Sequence, residues 1–153
     1  MLVDAPLNFG TFQLSTKGIP EADRVAVWRE EIAPMMRLDV EALPETPFQA
    51  ELTMRVLPGL ALISGTHSPF RVGRTRALVA DGNDDLVLLI RTGTGILLRR
   101  GHEVSVSAGD AIMLSNGDVG GFTFASAAKV AALTLPRTVL KPLLRDADAA
   151  LRY

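Results

Sequence analysis

Leu86-Val87-Leu88-Leu89-Ile90-Arg91-Thr92-Gly93-Thr94-Gly95, then Gly101-His102-Glu103-Val104-Ser105-Val106-Ser107-Ala108-Gly109-Asp110-Ala111-Ile112-Met113-Leu114, reads as strand, turn, hairpin, turn and strand. Residues 86–91 are apolar on both faces, which implies a strand covered on both sides. Gly93-Thr94-Gly95 turns the chain, and residues 96–99 and 103–106 form a hairpin around Gly101. Gly109 permits a sharp corner and Asp110 can hydrogen-bond its own turn backbone, which leads into a strand over 111–114.

The same period of two extends outward over residues 38–135. Phe48, Ala50, Leu52, Met54 and Val56 alternate with Gln49, Glu51, Thr53 and Arg55, the pattern of a strand with one buried face. Pro58-Gly59 makes a tight turn into a return strand over 60–65. Further strands are predicted over 74–80, 121–124 and 129–135. Many short strands separated by turn signals point to a β-sandwich or barrel. Residues 20–33 read as a helix: Pro20 suits its first position, Ala22, Val25, Trp28 and Ile32 recur at helical spacing, and Pro34 ends it. A second helix is predicted over 136–147, opened by Pro136 and striped by Val139, Leu140, Leu143 and Leu144. Residues 1–15 read as an extended arm, and residues 146–153 as the start of something longer.

The 153 residues suggest one domain able to bury its own core. With no cysteine, a disulfide scaffold, a thiolate metal centre and a Cys nucleophile are excluded. Sixteen Lys and Arg against 17 Asp and Glu leave a net charge of −1, unlike a free-standing nucleic-acid binder. Residues 1–10 carry Asp4 and no basic residue, unlike a secretory signal. No apolar run approaches the roughly 20 residues of a membrane span. A soluble, cytoplasmic protein without membrane contact is expected.

Catalytic motifs are missing from the sequence. His67 and His102 have no carboxylate at ligand spacing, so no metal site is expected. The adjacent pairs Glu30-Glu31 and Asp84-Asp85 diverge on any regular element. Arg71, Arg74 and Arg76 are the one unusual charge cluster. With Arg74 and Arg76 on one strand face, they either bind a carboxylate or phosphate or form a solvated edge. His67, at a strand end before Ser68-Pro69, is a further binding candidate.

The strand, G-x-G turn, hairpin and Gly-Asp turn together resemble the cupin double-stranded β-barrel. Ser15-Thr16, Ile19-Pro20, Arg24, Trp28-Arg29-Glu30, Asp39-Val40, Pro47-Phe48, Arg74-Thr75-Arg76 before Asp81, and Leu135-Pro136-Arg137 add to this. In that order they resemble the N-terminal effector-binding domain of AraC-family transcription regulators, over most of the chain. The resemblance implies a mainly β, jelly-roll type barrel with one helix before and one after it. It further implies a sensor that binds a small effector, anionic or aromatic, dimerises through the final helix and controls a DNA-binding domain. No cofactor is implied.

By the same resemblance, the pocket is lined by Arg76, Phe122, Lys129 and Ala131, with His67 beside them from its own chemistry. Arg76 would hold an anionic group, Phe122 would stack on a ring or pack as core, and the small Ala131 would leave room. Two departures stand out. The histidines of metal-binding cupins are missing from 96–100 and 110–124. The family's C-terminal helix-turn-helix domain has no counterpart, so DNA contact would come only through a segment beyond these residues. A stand-alone cupin enzyme, such as a small isomerase or dioxygenase, and a non-sensing interaction module are the competing readings.

Overall fold

The computed structural model describes residues 9–44, 46–146 and 149. The first eight residues of the expected arm, the last residue of the expected final helix and most of 146–153 lie outside these.

Among the described residues two antiparallel sheets form. The first has the order β1 (Gly10–Ser15), β3 (Ala50–Leu57), β4 (Leu60–His67), β11 (Ala128–Leu135), β6 (Leu86–Arg91) and β9 (Ala111–Ser115). The second has the order β2 (Asp39–Ala42), β5 (Phe70–Arg74), β10 (Gly120–Phe124), β7 (Gly95–Arg99) and β8 (His102–Val106). The architecture is mainly β, a cupin-like jelly roll with flanking helical segments. The ladders join strands within each sheet, so the expected jelly-roll type barrel takes the form of two antiparallel sheets.

Alternation produces the core. Along β3, Ala50, Leu52 and Met54 are buried while Glu51 and Arg55 are exposed. They pack with Leu14, Leu89 and Ile112 of the same sheet against Val40, Phe70, Leu97, Phe122 and Phe124 of the other. Trp28, only 1% exposed, seals the core from the helical side. Its ring meets Phe48 edge-on at 5.4 Å, and Phe48 meets Phe70 at the same distance.

Four expectations are corrected. The helix over 20–33 is instead a 3-10 turn (Glu21–Asp23), α1 (Arg24–Val27), a π turn (Trp28–Ile32) and α2 (Ala33–Met36). Pro34 does not end it. The N–H of Ala33 reaches back five residues to the Trp28 carbonyl, and this wider turn accommodates the proline that follows. The helix stops at Arg37, which is left-handed with φ 54°.

The strand predicted over 74–80 ends at Arg74. Thr75 then caps a one-turn helix, α3 (Arg76–Val79), its hydroxyl accepting from the Leu78 N–H at 3.3 Å. The local cap overrides the alternating pattern, so Arg74 and Arg76 share no strand face. The final helix is only α4 (Arg137–Leu140), followed by turns. Pro142 lacks the N–H a further turn requires. Finally, β6 is not covered on both sides. Ile90 is 46% exposed, whereas Arg91 at the end of the apolar run is 1% exposed.

Candidate functional site

Side chains on a strand alternate between faces, so register shows which residues look between the sheets. In β11, Val130 and Ala132 pack on the core. Lys129 and Ala131 therefore lie on the opposite, outer face, paired with Thr66 and Ser64 of β4. His67 pairs with Ala50 and Ala128, both buried, and looks inward. Arg91 pairs with Val130 and shares the inner face with Leu89.

Arg91 is the residue that sequence reasoning missed. Its guanidinium carbon lies 4.7 Å over the Phe122 ring and 4.9 Å over the Phe124 ring. One nitrogen, Nη2, donates to the Thr94 carbonyl at 2.8 Å. Nε and Nη1 are buried and have no hydrogen-bond partner. Burial pushes the guanidinium pKa below its ordinary value. Residues 86–91 are apolar at both parities, so only the register, which puts Leu89 in the core, shows that Arg91 turns inward too.

The Gly93-Thr94-Gly95 turn folds around this arginine. A Cβ on Gly93 would stand 2.4 Å from Ser126 Oγ and 3.1 Å from Arg91 Nη2. One on Gly95 would stand 2.3 Å from Phe122 Cε1. Both glycines serve close approach, which is why the turn carries them. Ser126 Oγ accepts from the Thr94 N–H at 3.1 Å, and the Thr94 carbonyl accepts from the Ala125 N–H at 3.1 Å.

His67 closes the polar cluster. Its Nδ1 lies 2.7 Å from the Ser68 carbonyl, which can only accept, so Nδ1 carries the proton and Nε2 is left as an acceptor. That Nε2 is buried and has no partner. The imidazole packs edge-on against Phe124 at 4.4 Å and Phe70 at 4.9 Å. Burial pushes its pKa down, the Ser68 contact opposes this, and the charge of Arg91 lowers it further. His67 is therefore neutral at pH 7.

A cleft of about 690 Å³ opens at this end of the sheets, where β1 and β4 finish and β3 and β11 begin. His67, Ala128 and Thr92 line it, with Lys17, Arg24 and Lys129 among the charged residues around it. Arg91 does not itself line the cleft; it lies behind the lining residue Ala128, whose Cβ and Arg91 Nη2 stand 3.0 and 3.1 Å from the Gly93 Cβ position.

The five residues expected at the pocket are thus dispersed. His67 and Phe122 are inward and buried. Lys129 is exposed at the cleft, and Ala131 is on the outer face. Arg76 is exposed on α3. Of the other two arginines, Arg71 is exposed and pairs with Glu41 at 3.2 Å. Arg74 is buried and wholly engaged. It binds Asp81 through both Nη atoms and the carbonyls of Arg37, Leu78 and Asn116.

No group of three or more His, Cys, Asp or Glu that could hold a metal occurs among the described residues. None of their helices is long and apolar enough to cross a membrane.

No protein-family model matches the chain, and no curated protein matches it. Among solved structures, the fold is similar to that of the AraC-like transcriptional activator CuxR. Identity is 18% and the TM-score 0.72, over 86% of this chain and 49% of that one. The chain thus spans about half of that protein's length. An ethanolamine utilization protein Q from Salmonella typhimurium aligns at 14% identity and TM-score 0.46, over 57% of this chain and 70% of that one. An RmlC-like cupin protein from Desulfovibrio desulfuricans aligns at 14% and 0.46, over 58% and 82%. At these identities the likeness is one of fold.

Proposed function

We propose that this chain is the ligand-sensing and dimerising part of an AraC-type transcription regulator. A small effector enters between the sheets, and its different affinity for two arrangements of the domain biases an attached DNA-binding domain. The observation that carries the sensing role is the buried, incompletely hydrogen-bonded pair Arg91 and His67 beside an open cleft. Protein interiors rarely leave polar atoms unpaired, and a ligand is one way to complete them. The fold it shares with an AraC-like activator supports the regulatory context.

Within this reading, Phe122 packs against an effector, His67 accepts a hydrogen bond from it, and Lys129 guards the cleft. Arg91 takes the anion-holding part that the resemblance assigns to Arg76. Ala131 shapes the outer face.

A thermal-shift screen over chemically diverse metabolites tests the proposal. A ligand at a hundred times its Kd adds about 2.7 kcal/mol, a shift of roughly 5–10 °C for a domain of this size. Silence across all ligand classes would favour an interaction module. Stoichiometric iron, zinc or manganese in the purified protein would favour an enzyme.

A further inference from the structure

The outer face of the first sheet is apolar, whereas an antiparallel sheet ordinarily turns a polar face to water. In β4, β11 and β6 the residues that alternate with the core are Leu60, Leu62, Leu133, Leu135, Leu88 and Ile90. Leu133 pairs with Leu62 on one side and Leu88 on the other, so three leucines form a row across the sheet. None of the six except Ile90 is fully exposed, none is buried, and Ile90 is 46% exposed. Over β4, β11, β6 and β9 this face carries a single charge, Lys129 at its end. The outer face of the second sheet differs. There Glu41 pairs with Arg71, and Leu98 stands between Gly121 and Glu103.

Area, chemistry and symmetry together select a second copy of this chain as the cover. The six strands, the longest of eight residues, present a face of roughly 600–800 Å² at about 4.8 Å between strands and 3.4 Å per residue. Each partner in a standard interface contributes about 800 Å². A face with almost no charge offers a partner only apolar contact, and this chain itself displays the matching surface. A two-fold interface must also complement itself. β11 is the middle strand of β3, β4, β11, β6 and β9. An axis along β11 lays β4 of one copy over β6 of the other, so that Leu62 meets Leu88 of the partner subunit. Leu133 lies on that axis, and the small Ala131 beside it lets the sheets close to about 10 Å.

We infer that the outer face of the first sheet, centred on β11, is the surface through which two copies of this chain pair face to face. This rests on the dimerising role proposed above and names its surface. The last segment extends that surface. α4 starts two residues after Leu135, and its Arg137 donates to the hydroxyl of Ser115, an outer-face residue of β9, at 3.3 Å. The exposed Val139 and Leu143 follow from there. The pairing also accounts for a strand that is apolar on both faces: the core covers Leu89 of β6, and the second copy covers Leu88 and Ile90.

The test is sedimentation equilibrium of the whole chain. The expected result is a monomer–dimer equilibrium that Ile90→Lys weakens roughly a hundredfold or more, because each copy brings an ammonium into an apolar contact. Leu98→Lys makes a like change on the second sheet, at a site exposed to 44%, and should leave the constant within about twofold. Both positions lie outside the core, so both variants fold. The chain has no cysteine, so Ala131→Cys and Ser105→Cys each supply one thiol. A short bis-maleimide should join copies through position 131, beside the axis. It should not join them through position 105, on the outer face of the second sheet.

Equal weakening by Ile90→Lys and Leu98→Lys overturns the face. So does a dimer that cross-links through Leu143→Cys and not through Ala131→Cys, which leaves the dimerising role to the last segment alone. A monomer at every concentration overturns the face and the dimerising role together. In that case a thiol at position 131 shielded from a monofunctional maleimide assigns the face to the chain's own last segment, and a reactive one assigns it to a different protein. The sensing role is untouched by these outcomes and stands or falls by the thermal-shift screen.

Discussion

Arg91 lies with its guanidinium carbon 4.7 Å over the ring of Phe122, buried to 1% exposure and without a carboxylate partner. A desolvated charge that lacks a counter-ion is costly, and the ring face offsets only part of that cost. Arg91→Met keeps the length and apolar contact of the side chain. It is expected to raise the unliganded stability by about 1 kcal/mol in urea unfolding. A loss of stability would instead make Arg91 a structural residue.

His67 sets a pH dependence. Its folded pKa is lowered by burial, so below the ordinary value the unfolded chain takes up a proton that the folded chain refuses. Stability is full above about pH 6.5 and declines as the pH falls from there toward the folded pKa. Urea midpoints measured between pH 5 and 8 should show this slope (about the range in which imidazole titrates), and His67→Asn should flatten it.

The turn glycines answer to close approach. Gly95→Ala places a methyl 2.3 Å from Phe122 Cε1 and 2.5 Å from the Thr123 carbonyl. The expected loss is about 1–3 kcal/mol. Gly93→Ala meets Ser126 Oγ at 2.4 Å and should cost a similar amount, because moving that hydroxyl gives up its bond to the Thr94 N–H. Gly117→Ala, whose nearest neighbour lies at 3.4 Å, is the control and should be nearly neutral. Thermal unfolding of the three variants checks the order.

Arg74 is a tether. It joins the end of the N-terminal helical segment at Arg37, the segment after β5 and the turn at Asn116. Arg74→Met removes the side-chain donor to the Arg37 and Asn116 carbonyls and the two-point partner of Asp81, and is expected to cost about 3 kcal/mol. The hydrogen bond from Arg74 holds the Asp81 carboxyl below its usual range. Its contribution is therefore present above the ordinary carboxylate pKa and lost as the pH falls through the lowered one. Acid titration of Asp81→Asn should lack that step.

Dimerisation through the last segment is testable despite its reduced helix. Val139 is 46% and Leu143 75% exposed, so an apolar surface is available there. Sedentary behaviour as a monomer at high concentration in analytical ultracentrifugation would count against a dimer. The expected result is a concentration-dependent doubling of mass that Leu143→Glu removes.

The β content, the turns at Pro58-Gly59, Arg100-Gly101 and Gly109, and the limits of β6 were legible because alternation and turn chemistry act over a few residues. The one-turn α3 was not, since Thr75 as a cap competes with an alternating pattern that fits a strand equally well. Two members of the buried cluster were named from the sequence. His67 stood out as a histidine at a strand end, and Phe122 entered only through the family resemblance. Arg91 was hidden at the end of an apolar run, where an arginine ordinarily marks the passage into solvent.

Local chemistry in the chain thus settled which segments are strands and where they turn. Only the folded molecule decided which face of each strand looks inward. That choice depends on pairing between residues far apart in sequence, such as Arg91 with Val130 and His67 with Ala128. A shift of one residue in either ladder would exchange the faces. Register placed Arg91 and His67 together between the sheets and sent Lys129 and Ala131 outside, because side-chain direction in a sheet is a property of the pair and not of either strand alone.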